Sequence, residues 1–229
     1  KMVRIVIALT PYGVMALMAK VFSTYQLEQF TSLLGFIAAC YLAILMMFIV
    51  HALILVLSGN NPVHYFKTVW PVLTFAFVSR SSAASIPLAI SAQEKFGVQN
   101  TIANIAASFG SSMGQNGCAG IYPAIMVAMI APTIGIDPLS VHFLLAMLPA
   151  IALGSIGVAG VGGGGTFAAL IVLSTLNFPV ALVGIFIAIE PVVDMARTAL
   201  NVNGSMMSGV LANRLLKKSA EKPHPVNAS

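Results

Sequence analysis

Six polar residues recur along one stretch of otherwise apolar sequence: Glu190, Asp194, Arg197, Thr198, Asn201 and Ser205. Their spacings are 4, 3, 1, 3 and 4. In a helix those steps put all six on one face. The row offers two acids, a guanidinium, two hydroxyls and an amide. An acid pairs with an ammonium, and a guanidinium forks a carboxylate through two parallel N–H donors. Together they suit a zwitterionic ligand. An ion pair between Asp194 and Arg197 that merely locked helices together would leave the hydroxyl and amide further along the stripe unexplained.

Three other polar breaks could face that stripe. The run from Ser79 to Ser85 holds Arg80 and the hydroxyls of Ser81, Ser82 and Ser85. The run from Gly154 to Gly165 is rich in glycine, which lets a backbone approach a ligand closely and lets a tip hinge. The break Gly114-Gln115-Asn116-Gly117 supplies amides and bare carbonyls but no acid, and Cys118 follows it. His51 lies in a charge-poor span and reads as a satisfied interior histidine. Cys40 and Cys118 sit apart in apolar or glycine-rich sequence, so neither a disulfide framework nor a zinc site is expected. No GK[ST] follows the glycine run, which argues against a nucleotide site.

The composition fixes the solvent in which these residues work. Of 229 residues, 59% are hydrophobic and 7% are charged, with a mean hydropathy of +0.96. A soluble domain carries charge on about a quarter of its positions. Lipid is therefore the expected surroundings, and the net charge of +5 reads as membrane topology rather than nucleic-acid binding. Charges at bilayer depth cost several kcal/mol unless paired or hydrated, and by default they mark function.

The expected fold is an all-α membrane protein of transmembrane helices and two re-entrant helical hairpins. Residues 1–30 form a scaffold-type transmembrane helix, and residues 31–216 a transport core. Within the core a helix spans 31–58, a hairpin 65–96, a broken helix 100–131, a second hairpin 138–176 and a broken helix 179–216. A basic cytoplasmic tail occupies 217–229. The half-length run Val69 to Val78 is too short to cross a bilayer, which needs about 20 residues. Irregular backbone at depth survives only where protein buries it or it lines a cavity. The order of hairpin then broken helix occurs twice, and paired interrupted segments point to a transporter's midplane site. With the C-terminus cytoplasmic, this layout puts Lys95, Lys67, Arg4 and Lys1 on the cytoplasmic side, Lys20 outside, and Arg80 and Arg197 within the membrane. The chain opens at Lys1 and is read as lacking its natural N-terminus.

At this point the sequence resembles the dicarboxylate/amino-acid:cation symporter family, which contains the glutamate-transporter homologues. The carrying residues are Ser79-Arg80-Ser81-Ser82-Ala83-Ala84-Ser85 with Pro87, the tip Ser155-Ile156-Gly157-Val158-Ala159-Gly160-Val161, and the run from Asp194 through Met195, Ala196, Arg197, Thr198 and Asn201 to Gly204. Pro11 to Leu17 resembles the helix that precedes the family's transport core. The resemblance covers nearly the whole chain and corresponds to the C-terminal half of a full carrier. It implies a homotrimer in the inner (plasma) membrane, working by an elevator motion, with a cytoplasmic gate at the first hairpin and an extracellular gate at the second. It further implies that Asp194 takes the substrate amino group and Arg197 a distal group. Ser82 and Asn201 would hold the α-carboxylate, and Thr198 and Cys118 would line the site. Val161 and Gly165 would close the second tip, with Arg80 beside the pocket.

The sequence departs from the family at two carboxylates. Asn116 and Ser205 stand where the family carries acids, and Gly114 replaces a ligand amide. The remaining cation positions, Asn116, Ser155, Asn201 and Ser205, hold no acid, so sodium coupling of the ordinary kind is not expected. Glu190 is the candidate proton carrier, and the coupling ion is left between H+ and Na+. This altered pattern is similar to the family's L-cystine uptake branch. The expected function is a symporter importing an amino acid, L-cystine foremost, with no cofactor and no metal. The alternatives are a sodium- or proton-coupled glutamate, aspartate or dicarboxylate carrier, and an ion channel. Asp194 argues against a pure dicarboxylate, and a channel favours a continuous polar pore. No nucleophile–base pair suggests an enzyme. The expected partners are the substrate, the lipid bilayer and two further copies of the chain, with no nucleic acid.

Overall fold

A computed structural model describes residues 27–158, 160–179, 183–187 and 189–220, together with residue 15. The expected scaffold helix, apart from its last residues, lies outside the described residues, as do the motif around Pro11, Ala159 of the second tip and the tail beyond residue 220.

Among the described residues the protein is all-helical and contains no strand. Helix α1 spans Leu27–Leu57, α2 Pro62–Ser79, α3 Ser82–Lys95 and α4 Asn100–Gly110. A π-helical segment, Asn116–Ile121, leads into α5, Tyr122–Ile130. Then come α6, Val141–Gly154, α7, Gly164–Thr175, the short α8, Val183–Ile187, and α9, Glu190–Ala220. Two stretches, Leu33–Leu57 and Asn116–Ile134, are long and apolar enough to cross a membrane.

Local chemistry sets the boundaries. Asn61 caps α2, its Oδ1 accepting from Val63 N at 2.9 Å and His64 N at 3.2 Å, while Pro62 occupies the first helical position. Arg80 ends α2 in the left-handed region at φ 52°, its N–H donating to Ala76 O at 2.9 Å. That conformation costs a non-glycine residue about 1–2 kcal/mol. Ser81 then caps α3 by accepting from Ala84 N at 3.1 Å. The first tip is therefore two residues, Arg80 and Ser81; Ser82 to Ser85 are already helical. The first pair of helices also starts earlier than residue 65, at Pro62.

Two further differences concern interruptions. Helix α1 begins at Leu27, so Glu28 and Gln29 extend it rather than form a connector. The polar stripe within the expected broken helix 179–216 rides on a continuous helix, Glu190–Ala220, as its spacing implies. The interruption comes before it, between Ile187 and Glu190. Polar side chains do not break a helix whose backbone bonds remain intact; they need only partners for themselves.

The helices bury two large apolar cores and two smaller clusters. One large core gathers Phe36 of α1, Tyr122 and Met126 of α5, Phe143 of α6, Val172 of α7 and Phe186 of α8. The other gathers Leu55 of α1, Tyr65 and Val69 of α2, Ala103 of α4, and Val202 and Met206 of α9. Helix α9 packs on α1, α2, α3, α4 and the π segment, and its stripe also meets Gly165 and Thr166 in the first turn of α7. The outer face of α1 exposes Leu42, Leu45, Met46, Ile49 and Leu53, a continuous apolar surface.

The two tips and the α4–π break meet. Gly160 O accepts from Ala83 N at 2.9 Å and from Ser81 Oγ at 3.2 Å. Val158 N donates to Ser112 O, and Gly114 N to Ser155 O, both at 3.1 Å. The π segment also lies close on α9. A Cβ added at Gly117 would stand 2.8 Å from both Cα and O of Arg197, whereas one at Gly120 meets nothing within 4 Å. Gly117→Ala is expected to destabilise the fold by about 1–3 kcal/mol through overpacking against backbone. A thermal melt of the purified full-length protein, with Gly120→Ala as control, checks this. Equal melting of the two variants would show that the contact is not tight.

Candidate functional site

The side chain of Arg197 has 0% exposure. Its Nη2 lies 3.1 Å from Glu190 Oε1 and 3.0 Å from Asp194 Oδ1. Helical spacing on α9 delivers both acids to the same nitrogen, one turn and two turns back. The guanidinium carbon lies 3.9 Å above the centre of the Tyr122 ring, a cation–π stack. The other guanidinium nitrogens, Nε and Nη1, have no hydrogen-bond partner among the described residues, and neither does Tyr122 OH. Nη1 points at Gly165 in the first turn of α7; a Cβ there would collide with it.

Glu190 is held from a second side. Thr166 N donates to its Oε1 at 3.2 Å, and Thr166 Oγ1 to its Oε2. Both oxygens are engaged by donors, as an ionised carboxylate requires. Asp194 faces differently. Its Oδ1 accepts weakly from Cys118 Sγ at 3.8 Å. Its Oδ2 and Arg80 Nη2 flank Gly162, each 3.7 Å from where a Cβ on that glycine would stand. Arg197 meets both carboxylates on one nitrogen, and Arg80 stands beside Asp194, so two guanidinium groups face two acids.

Asn201 ties α9 to the π segment. Its Oδ1 accepts from Gly117 N at 2.7 Å and Cys118 N at 3.3 Å. Its Nδ2 donates to Gln115 Oε1 and Cys118 Sγ, both at 3.1 Å. Gln115 Nε2 in turn donates to Ser111 O. These bonds occupy backbone donors that a π segment leaves free, and such segments frequently mark functional sites.

The expected site residues thus fall into groups. Arg80, Cys118, Gly165, Glu190, Asp194, Arg197 and Asn201 come together around one buried cluster. Thr198 and Ser82 are buried, on α9 and at the start of α3. Val161 is 54% exposed at the second tip. Asn116, Asn201 and Ser205 line a separate cavity of about 320 Å³. Ser155 is elsewhere: its Oγ bonds Ala152 O at 2.8 Å, closing its own helix end. Two contributors escaped the sequence reading. Tyr122 looks like one aromatic in an apolar run, and Thr166 like one small residue after glycines. Only the fold reveals that they face Arg197 and Glu190.

Helix–tip–helix pairs closing on a buried charge cluster, in a chain of lipid-type composition, have the architecture of secondary-transporter cores. The chain belongs to the sodium:dicarboxylate symporter family, which matches residues 1–215. It is 56% identical over 217 residues to the L-cystine uptake protein TcyP of Bacillus cereus, covering 94% of this chain and 47% of that protein. Identity to the Bacillus licheniformis protein of the same name is 54% over 215 residues, again 94% and 47% of the two chains. An uncharacterized symporter of Haemophilus influenzae is 54% identical over 219 residues, 95% of this chain and 50% of its own. The chain thus spans about half the length of these relatives.

Removing the guanidinium as Arg197→Met leaves two buried acids uncompensated and is expected to cost about 3–5 kcal/mol. Tyr122→Leu loses the stack and about 0.5–2 kcal/mol, while Tyr122→Phe keeps the ring face and the stability. Thermal melts of the purified full-length variants separate the three. A Tyr122→Phe variant as unstable as Tyr122→Leu would mean that the hydroxyl matters and the stack does not.

Proposed function

We propose that this chain carries the substrate site of a secondary active symporter that imports an amino acid, L-cystine foremost, across the inner membrane. The observation that carries this reading is the charge pattern around Arg197. Two carboxylates and two guanidinium groups meet there, and two buried nitrogens of Arg197 have no hydrogen-bond partner among the described residues. An ammonium pairs with Asp194, and a carboxylate supplies acceptors for the unpartnered Nε and Nη1 of Arg197. A zwitterion supplies both at once. The names of the Bacillus relatives support cystine within that class. Cystine has two amino-acid ends, and an uncharged wall of Gln115, Cys118 and Gly120 accommodates a ligand longer than glutamate.

In this reading Arg80, Ser82, Thr198 and Asn201 complete the substrate pocket, and Val161 and Gly165 belong to its second-tip side. The helix pairs α2–α3 and α6–α7 act as re-entrant gates on the cytoplasmic and outer sides. The carrier works as a homotrimer by an elevator motion, with its C-terminus in the cytoplasm. Glu190 is the acid that exchanges the coupling proton, released from Arg197 and Thr166 when a substrate carboxylate takes its place. Asn116 and Ser205 bring no carboxylate to the family's cation positions, and hard cations such as sodium favour anionic oxygen.

Uptake of labelled L-cystine into proteoliposomes holding the full-length carrier tests the reading. Uptake is expected to resist competition by L-glutamate and to follow an inward proton gradient without sodium. Asp194→Asn is expected to lose cystine binding, and Glu190→Gln to lose proton-driven uptake. Sodium-dependent uptake of glutamate or a dicarboxylate, indifferent to Asp194→Asn, would overturn it.

A further inference from the structure

His51 lies on α1, outside both helix pairs, and is buried in a helix whose one Asp, Glu, Lys or Arg is Glu28 near its start. An ionisable side chain in an apolar span is costly and needs a reason. Its Nδ1 is 2.8 Å from Asn203 Nδ2 on α9. Tyr65 OH donates to both the backbone and side-chain oxygens of Asn203, at 3.2 Å each. With Asn203 Oδ1 facing the tyrosine, its NH2 faces the histidine and can only donate. Nδ1 is then the acceptor, and the neutral ring keeps its proton on Nε2.

The ring borders the cavity of about 320 Å³ between α1, the α4–π break and α9. Asn116, Asn201, Ser205 and Ser208 supply its polar walls, with glycines 110, 114 and 204 giving access to backbone. Met113 and Ser208 at its edge are exposed. A polar cavity of this size holds water. None of its lining residues is Asp, Glu, Lys or Arg. The groups that face the ring are Phe48 on its own helix and Asn203 and Gly204 on α9, with Tyr65 of α2 behind Asn203. The nearest charge along α9 is Arg197, seven residues before Gly204 and about 10 Å away along the axis. Among the residues that line this cavity, His51 is therefore the one whose side-chain type ordinarily titrates closest to neutrality.

We infer that the cavity bordered by His51, Asn116 and Ser205 is a proton-binding station of the transport cycle, with His51 as the group that carries the proton. It rests on the symporter reading and adds to Glu190 a second ionisable site across the Asn201 network from the substrate groups. Cavity water delivers a proton to Nδ1, the basic nitrogen of the neutral ring, giving an imidazolium, and Asn203 turns its amide so that Oδ1 accepts where Nδ2 had donated. Asn116, Ser205 and Ser208 offer oxygen acceptors to the charged form, and the proton returns to water when the cavity faces the other side. The ring's bond to Asn203 fixes its position on α9, the helix that also bears Asp194 and Arg197, so the proton site and substrate site move as one body.

The test uses the full-length carrier in proteoliposomes with labelled L-cystine. His51→Gln keeps an acceptor for Asn203 but takes up no proton. The variant is expected to lose accumulation driven by an inward proton gradient while retaining exchange of external for internal cystine. Proton-driven accumulation equal to wild type would overturn the inference and make His51 a structural tie between α1 and α9. A variant that loses exchange too is judged by a second measurement. Calorimetry of cystine binding to the wild-type carrier near about pH 6.5, in buffers of different ionisation enthalpy, is expected to show proton uptake that Glu190→Gln does not abolish. Binding without proton uptake, or uptake abolished by Glu190→Gln, would overturn it. A wild-type carrier that imports no amino acid would sink the symporter reading itself, and the inference with it.

Discussion

The buried charge of Arg197 governs the centre of the molecule. An unpaired charge withdrawn from water is far too costly to persist, so the surroundings must neutralise it. Glu190 and Asp194 meet it from its own helix, Tyr122 supports it from below, and the glycines at 117 and 165 let the π segment and α7 come close enough to enclose it. The consequences spread outward. Thr166 orients Glu190, Asn201 fixes the π segment, and the π segment carries Cys118 to Asp194. Remove the guanidinium and each of these contacts loses its purpose.

Much of this was legible beforehand. The stripe from Glu190 to Ser205 announced itself by helical spacing, and the glycine and serine runs announced the two tips. The lengths of the tips did not, because caps extend helices into sequence that looks irregular. Ser81 folds Ser82 to Ser85 into α3, and Arg80 adopts a backbone conformation usually left to glycine. The break expected within residues 179–216 falls before the stripe and not inside it. The stripe's side chains find partners across the fold while the backbone stays helical. Tyr122 and Thr166 stayed hidden for a different reason. Their roles depend on contacts with residues 75 and 24 positions away, which no local pattern encodes.

Around Asn201 and Ser205 the chain relies on neutral hydrogen bonding rather than on charge. Asn201 satisfies Gly117, Cys118 and Gln115 together, and Ser205 turns back on its own helix to bond Val202 O. A network of neutral groups leaves the adjoining cavity polar but without the anionic oxygens that hold hard cations. Such a network also resists single substitutions poorly, because each member satisfies several others and a gap leaves buried donors unpaired.

Gly160 gives the two tips a common fastening. Its one carbonyl holds Ala83 N and Ser81 Oγ from the opposite tip, and its bare Cα rests on the backbone of Ser111. Neither tip can leave this seam without breaking the same pair of bonds, so the separation of either one is felt by both. In the proposed symporter, with the two tips as its gates, this seam is a latch that both gates share: releasing it for one leaves the other to be secured by different contacts. Slippage of solute or ions past the barrier would then be set less by the strength of either tip alone than by how seldom this single carbonyl is left unoccupied.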